Sequence, residues 1–349
     1  VSGKKERIAL YALGVPGAKL CRRLAAGLEE AEVFLPRRHA EPEAGEHAFD
    51  SLHQILTENF LQYPGHVLIC AAGMAVRCIA PLLRHKAQDP AVVVVDQLGH
   101  YAVSLLSGHL GGANDLARRV ARALDGQAVI TTATDNLGLP SLELEARRLG
   151  LGVENLGALA GVSAALVDGW PVPVCDPHGW LEPVTSRHPE RFTPVSPEQA
   201  QGLAGGPLVW VSWRNTRVAG SWLVLRPRCL ALGMGCNRGV GADELEALAR
   251  EALHKIGAAP GSLKVLASAE AKRGEGGLLL AAQRLGVEMV FYDHQELARV
   301  EVPNPSAAAL RCLGTPSVCE AAALLASDHG RLILPKIKSN NATAAVAIT

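Results

Sequence analysis

The run Ser107-Gly108-His109-Leu110-Gly111-Gly112-Ala113-Asn114-Asp115 sets an imidazole among closely spaced small residues, just ahead of a helical pattern. Imidazole titrates near neutral pH, so His109 is a candidate for proton transfer or metal ligation. The glycines would let backbone N–H groups approach a ligand. The positive end of the following helix would favour a carboxylate, a phosphate or a developing oxyanion. Ser107, Gly108, Gly111, Gly112 and Asn114 are therefore candidate binding residues. A plainer alternative is a tight connection in which the glycines supply positive φ and Asn114 or Asp115 caps the helix.

A second candidate, Thr131-Thr132-Ala133-Thr134-Asp135, follows an apolar run. The carboxyl ends of parallel strands face the ligand crevice of an open α/β sheet, so Thr131, Thr132 and Asp135 should sit beside the Ser107 loop. Ala71-Ala72-Gly73-Met74-Ala75 has the same strand-to-helix position and would add backbone donors. Capping or turning the chain is the alternative for both.

Further along, Gly233-Met234-Gly235-Cys236-Asn237-Arg238-Gly239 imitates a dinucleotide fingerprint with the spacing G-x-G-x-x-x-G. A nicotinamide site also wants an acidic residue or an Arg about 20 residues on, and Glu270 lies too far along, which leaves NAD(P) a minor reading. Gly235 would approach a ligand, Cys236 would be a nucleophile, a soft metal ligand or a packed thiol, and Arg238 suits a carboxylate. Glu270, Lys272 and Glu275 crowd one short connection, so both glutamates join His109 as candidate bases and Lys272 as an anion contact. Ser317 and Glu320 have the spacing of a capping box. Lys336 and Ser339 would meet substrate carboxylates at the end of a strand.

These residues need a frame. Strand-like runs at Arg7–Leu13, Glu32–Leu35, His66–Ala71, Ala91–Asp96 and Ala128–Thr132 alternate with helical patterns at Pro16–Glu29, Ser51–Leu61, Met74–Arg84 and Gly112–Leu124. That order implies βαβ crossovers and a parallel sheet covered on both faces. The pattern blurs from about Asn136 to Arg226, where prolines cluster, although Val172–Cys175, Leu208–Trp213 and Trp222–Leu225 read as strands. It restarts with strands at Cys229–Met234, Lys264–Ala267 and Glu288–Tyr292. Helices are expected at Ala242–Leu253, Gly276–Leu285 and Ser317–Leu325, and two closing strands at Leu332–Ile337 and Thr343–Ile348. The expected architecture is an N-terminal α/β domain with a parallel sheet (1–135), a small α/β middle domain (136–227) and a C-terminal α/β domain with a mixed sheet (228–349).

Composition narrows the function classes. Lys plus Arg and Asp plus Glu both number 34, so the basic excess of a nucleic-acid binder is absent and an anionic membrane is an improbable partner. Apolar runs are too short to span a bilayer, and no signal-peptide pattern precedes the first strand, which points to the cytoplasm. The eight cysteines form no CxxC pair, so reduced thiols are expected and structural zinc is poorly supported.

The motifs SGHLGGAN, VITTATD, GMGCNRG, AKRGE, GTPSVCEAAAL and KIKSNNATAAVAI, in this order, resemble the CbiG family, the cobalt-precorrin-5A hydrolases of anaerobic cobalamin biosynthesis. The resemblance spans nearly the whole chain. It implies that water opens the ring A δ-lactone of cobalt-precorrin-5A and that acetaldehyde leaves, giving cobalt-precorrin-5B. No dedicated cofactor is implied, because cobalt arrives inside the corrinoid substrate. A cleft between α/β domains, with glycine loops and a few cationic side chains, would suit a broad apolar ring edged with carboxylates. Passing contact with the methyltransferases that act on neighbouring intermediates is also implied. The C-terminal part is similar to a stand-alone protein of the aerobic route, so a non-catalytic corrinoid-binding or carrier protein is the alternative, and acetaldehyde production separates the two.

Overall fold

The computed structural model describes residues 7–85, 88–203, 205–305, 310 and 315–349. The chain divides into two compact units, Val1–Leu144 and Glu145–Thr349.

The N-terminal unit is built on seven strands: β1 (Ile8–Ala12), β2 (Ala31–Pro36), β3 (His47–Phe49), β4 (Gly65–Ile69), β5 (Ala91–Val95), β6 (Tyr101–Leu106) and β7 (Gln127–Val129), in the order β3-β2-β1-β4-β5-β6-β7. Side chains of a strand alternate between faces. Ile8, Leu10 and Ala12 accordingly join one hydrophobic cluster while Ala9 and Tyr11 join another. β5 reads AVVVV and is buried throughout, as a strand covered on both faces must be. The helix Ala113–Leu124 lays Ala113, Leu116, Ala117, Val120, Ala121 and Leu124 on the first cluster at helical spacing.

The expected parallel sheet holds with one exception. β6 pairs antiparallel with β5, and β7 then runs parallel to β6. The carboxyl ends of β6 and β7 therefore lie at the edge that carries the amino ends of β1, β4 and β5. The Ser107 and Thr131 loops share that edge, as expected. The Ala71–Ala75 loop follows β4 and opens on the opposite edge, so it adds no donors to them. β7 is also shorter than expected, and Thr131 and Thr132 fall in the turn beyond it.

The second unit holds two sheets. In the first, β8 (Leu151–Val153), β9 (Val172–Cys175), β10 (Phe192–Pro194), β11 (Leu208–Val211) and β12 (Trp222–Pro227) are ordered β10-β9-β11-β12-β8, with only β8 antiparallel to its neighbour. In the second, β13 (Leu230–Cys236), β14 (Leu263–Ala269), β15 (Glu288–Tyr292), β16 (Arg331–Lys338) and β17 (Ala342–Ile348) are ordered β15-β14-β13-β17-β16. β13, β14 and β15 are parallel, and β17 is antiparallel to both β13 and β16, so this sheet is mixed. The helix Val318–Ala326 lies so close on β13 that a Cβ at Gly233 would stand 1.9 Å from the Cys319 carbonyl oxygen.

The two sheets of this unit are tied together. Trp213 packs into the core beneath β13 beside Cys229 and Leu230, and Ala259 N–H donates to its carbonyl at 2.8 Å. Within the first sheet, Arg226, 2% exposed, donates to the carbonyls of Ser212 at 2.9 Å and Arg214 at 2.6 Å and pairs with Glu154. A fragment spanning 228–349 keeps its own sheet and most of its core, so it is expected to unfold cooperatively. It lacks Trp213, and losing a buried Trp side chain costs about 3–5 kcal/mol, so it should melt roughly 10 °C or more below a 145–349 fragment. Calorimetry of the two fragments checks this; equal melting would refute the contribution of Trp213, and no transition in the shorter one would refute the domain boundary at 227/228.

Candidate active site

The Ser107 loop is shaped by close packing. Ser107 adopts φ +59° and its Oγ donates to the Asp89 carbonyl at 2.9 Å. A Cβ at Gly111 would fall 2.4 Å from Ser107 Cβ, and one at Gly108 would fall 2.8 Å from Asn114 Oδ1. Their bare backbones thus make room for protein atoms. Gly112, at φ +85°, is the N-cap of the helix Ala113–Leu124, and neither Asn114 nor Asp115 caps it. Ala113 N–H donates to the Ser107 carbonyl and Asn114 N–H to the Gly108 carbonyl, both at 3.1 Å. Those two donors of the helix N-terminus are committed, so the expected backbone oxyanion cradle is not available from them.

What the loop does deliver is side chains. Asp135 Oδ2 accepts from Thr132 Oγ1 at 2.7 Å and Asn114 Nδ2 at 2.9 Å, and lies 3.0 Å from His109 Nε2. Its Oδ1 accepts from Arg118 at 2.7 Å. Asn114, 3% exposed, also donates to Thr132 Oγ1 at 3.1 Å and accepts from Ser104 at 2.7 Å. Thr134 Oγ1 also lies 3.1 Å from Nε2, and on the other side of the imidazole Glu143 Oε1 lies 3.3 Å from Nδ1.

The electrostatics follow from this geometry. The bond to Glu143 raises the His109 pKa; partial burial opposes it, and the bond to Asp135 adds to the rise. Burial would raise the Asp135 carboxyl, but the bonds from Thr132, Arg118 and His109 outweigh it and hold Asp135 ionised. The two carboxylates thus favour the protonated form of His109. The sequence makes His109 a candidate base; in its protonated form the same imidazole can also donate a proton and stabilise developing negative charge.

In the second unit the expected residues gather at the carboxyl ends of β13 and β14. Glu275 Oε2 accepts from Gly239 N–H at 2.9 Å and its Oε1 pairs with Lys272 at 3.3 Å. The Gly239 bond lowers the Glu275 pKa against some desolvation, and Lys272 and Arg238 add to the effect. Glu270 is lowered by its ion pair with Arg273. Both carboxylates are therefore weak proton acceptors. Burial raises the Cys236 thiol, which makes it a poor nucleophile. Gly235 packs on Thr343 and Val318, and Gly233 on the helix Val318–Ala326, so these glycines serve packing where a dinucleotide loop would cradle phosphate.

Arg238 is exposed. Ser339 Oγ donates to Glu244 Oε1 at 2.6 Å and pins the β16–β17 turn to the helix Ala242–Lys255. Lys336 Nζ donates to the Asn304 carbonyl. The Ser317–Glu320 capping box does not form: buried Glu320 accepts from Asn304 Nδ2 at 2.8 Å and Lys336 N–H at 3.0 Å. Gly314 and Cys312 lie outside the described residues. Among the described residues no group of three or more His, Cys, Asp or Glu is arranged to hold a metal ion, and no helix is long and apolar enough to cross a membrane.

Sequence reading missed Arg118 and Glu143. Arg118 had a signal, since it stands one helical turn beyond Asn114 on the same face. Glu143 had none, because its reach to His109 depends on the turn after Asp135.

Three family models match successive segments: "Cobalamin synthesis G N-terminal" over residues 54–135, "Cobalamin biosynthesis central region" over 140–227 and "Cobalamin synthesis G C-terminus" over 230–347. The chain is 33% identical to the cobalt-precorrin-5A hydrolase of Priestia megaterium, covering 99% of this chain and 97% of that protein. It is 32% identical to the cobalt-precorrin-5A hydrolase of Salmonella typhimurium, covering 99% and 98%. Protein CobE of a Sinorhizobium species is 42% identical over 34% of this chain and 79% of its own. Full-length matches at this identity, with all three segments in order, place the chain in the CbiG family of cobalt-precorrin-5A hydrolases.

Proposed function

We propose that the protein hydrolyses the ring A δ-lactone of cobalt-precorrin-5A and releases acetaldehyde, with His109 at the reacting centre. The observation that carries this reading is coverage. Relatives named for the hydrolase extend over 99% of the chain, whereas the likeness to CobE covers 34% of it. A carrier built on the C-terminal domain alone would not need the His109 cluster.

The chemistry suits a cationic imidazole. Water adds to the lactone carbonyl, and the tetrahedral oxyanion collapses and expels the ring oxygen. His109 gives its proton to that oxygen and becomes neutral imidazole. As the carbon–carbon bond breaks, the imidazole takes the proton back from the freed hydroxyl, and the oxygen leaves as the carbonyl of acetaldehyde. The electron pair stays on the macrocycle carbon, which then acquires a proton. Water ends as the hydroxyl of the new carboxyl group and supplies, through solvent, the proton on carbon. One group serves as acid and then as base, and it ends the cycle as the cation that its two carboxylate neighbours favour.

In the second unit Arg238 and Lys272 would hold corrinoid carboxylates, with Lys336 on β16 and Ser339 in the β16–β17 turn. The corrinoid brings its own cobalt, and the reaction needs no further cofactor. Free thiols at the described cysteines suit a reducing cytoplasm, where methyltransferases of the same pathway would supply and consume the intermediates.

His109→Gln is expected to lower single-turnover acetaldehyde release on the order of 100-fold to 10,000-fold while its melting curve stays cooperative. Release at the wild-type rate by the folded variant would make His109 structural. In the paired variant Arg238→Ala/Lys272→Ala, corrinoid affinity should fall about tenfold or more at unchanged stability. Wild-type affinity in a titration followed by corrinoid absorbance would remove both residues from the site.

A further inference from the structure

Glu143 lies in none of the motifs, yet it completes the His109 cluster. It follows Leu142, which is 1% exposed and seats the start of the helix Leu142–Arg148 in the core. Its side chain is 13% exposed, against 19% for His109, so the contact between Oε1 and Nδ1 is largely shielded from water. The opposite carboxylate is already shared: Asp135 also receives Thr132, Asn114 and Arg118, and Arg118 in turn pairs with Asp115 at 2.9 Å. Among the described residues, the ionic partner of Glu143 is His109.

We infer that Glu143 is the positioning residue that fixes His109 as a cation with Nδ1–H directed at Glu143, leaving Nε2 as the nitrogen that exchanges a proton with substrate. This rests on the proposed role of His109. The division of labour follows from the bonding. Nε2 faces Thr134 and a carboxylate whose charge is spread over several donors, so substrate can compete for it. Nδ1 faces a carboxylate with no comparable claim on it and stays bound, which fixes the ring's orientation through both proton transfers. The same logic governs pH. His109 must be charged to release the leaving oxygen. The charged groups facing it are Glu143 from one helix and Asp135 from the short helix Ala133–Asn136 after β7, with Arg118 and Asp115 behind Asp135. Removing the Glu143 charge leaves Asp135, already partly neutralised, to hold the cation, so the acid form should be lost at lower pH.

Glu143→Gln keeps the shape and removes the charge. Two readouts are needed: the His109 imidazole titration by NMR, assigned by its absence in His109→Gln, and the pH profile of single-turnover acetaldehyde release. The Gln variant should titrate at lower pH than the wild type. Its release rate should fall roughly 10-fold on the alkaline side and recover toward wild type on acidification, with corrinoid affinity unchanged. Glu143→Asp should restore part of the profile, and it serves as the test variant if Glu143→Gln does not fold. A His109 titration and pH profile unmoved by loss of the Glu143 charge, while His109→Gln remains inactive, would overturn the role of Glu143 alone. Full activity in folded His109→Gln would overturn the reacting centre itself, and the NMR titration would still report whether Glu143 holds the imidazolium.

Discussion

The Asp135 carboxylate gathers side chains from three separate segments: His109 from the loop after β6, Asn114 and Arg118 from the following helix, and Thr132 from the turn after β7. Each of these bonds favours its ionised form, and together they overcome the burial that would otherwise neutralise it. The imidazole, the buried amide and the guanidinium are thereby held in fixed relation. Remove the charge and, of their ionic partners, His109 keeps Glu143 and Arg118 keeps exposed Asp115, while buried Asn114 loses one of its two acceptors. The cluster is cooperative in that sense, and the glycines around it matter because they let the loop close tightly enough for the bonds to form.

That cluster forms because β6 and β7 run parallel to each other, and its place in the sheet is set by β6 running antiparallel to β5. An all-parallel sheet would have put the ends of β4, β6 and β7 on one edge and drawn the Ala71–Ala75 loop toward His109. The reversal instead separates the last two strands, with the loops that follow them, from the switch in strand order between β1 and β4 where an open α/β sheet ordinarily binds its ligand. The residues able to move protons sit at the other edge. In the second unit the equivalent strand ends carry carboxylates with lowered pKa, a half-buried thiol and exposed Arg238.

Much of this was legible before the structure. The C-terminal rhythm was clear enough that the helix Gly276–Leu285 and the strand Glu288–Tyr292 coincide with the expected limits, because long periodic runs bounded by Gly and charged residues leave few alternatives. The three-residue strands β3, β8 and β10 were not legible, since their pairing is supplied by neighbours and not by their own composition. Strand direction at β6 was equally hidden. At the candidate site, the company of His109, Asn114, Thr132 and Asp135 followed from two motifs expected on one edge. What those motifs could not tell was whether a missing Cβ faces a ligand or a packed backbone, and at Gly108, Gly111, Gly233 and Gly235 it faces protein. Nor could they tell whether His109 is neutral, because the charge depends on Glu143, which no local pattern connects to it.

The most direct measurement is a structure of folded His109→Gln trapped with cobalt-precorrin-5A. The lactone oxygen should lie about 3–3.5 Å from the residue-109 side chain, with Asp135 and Glu143 in place around it. A lactone bound at the ends of β13 and β14 in the second unit, with the residue-109 side chain touching no substrate atom, would contradict the assignment of the reacting centre.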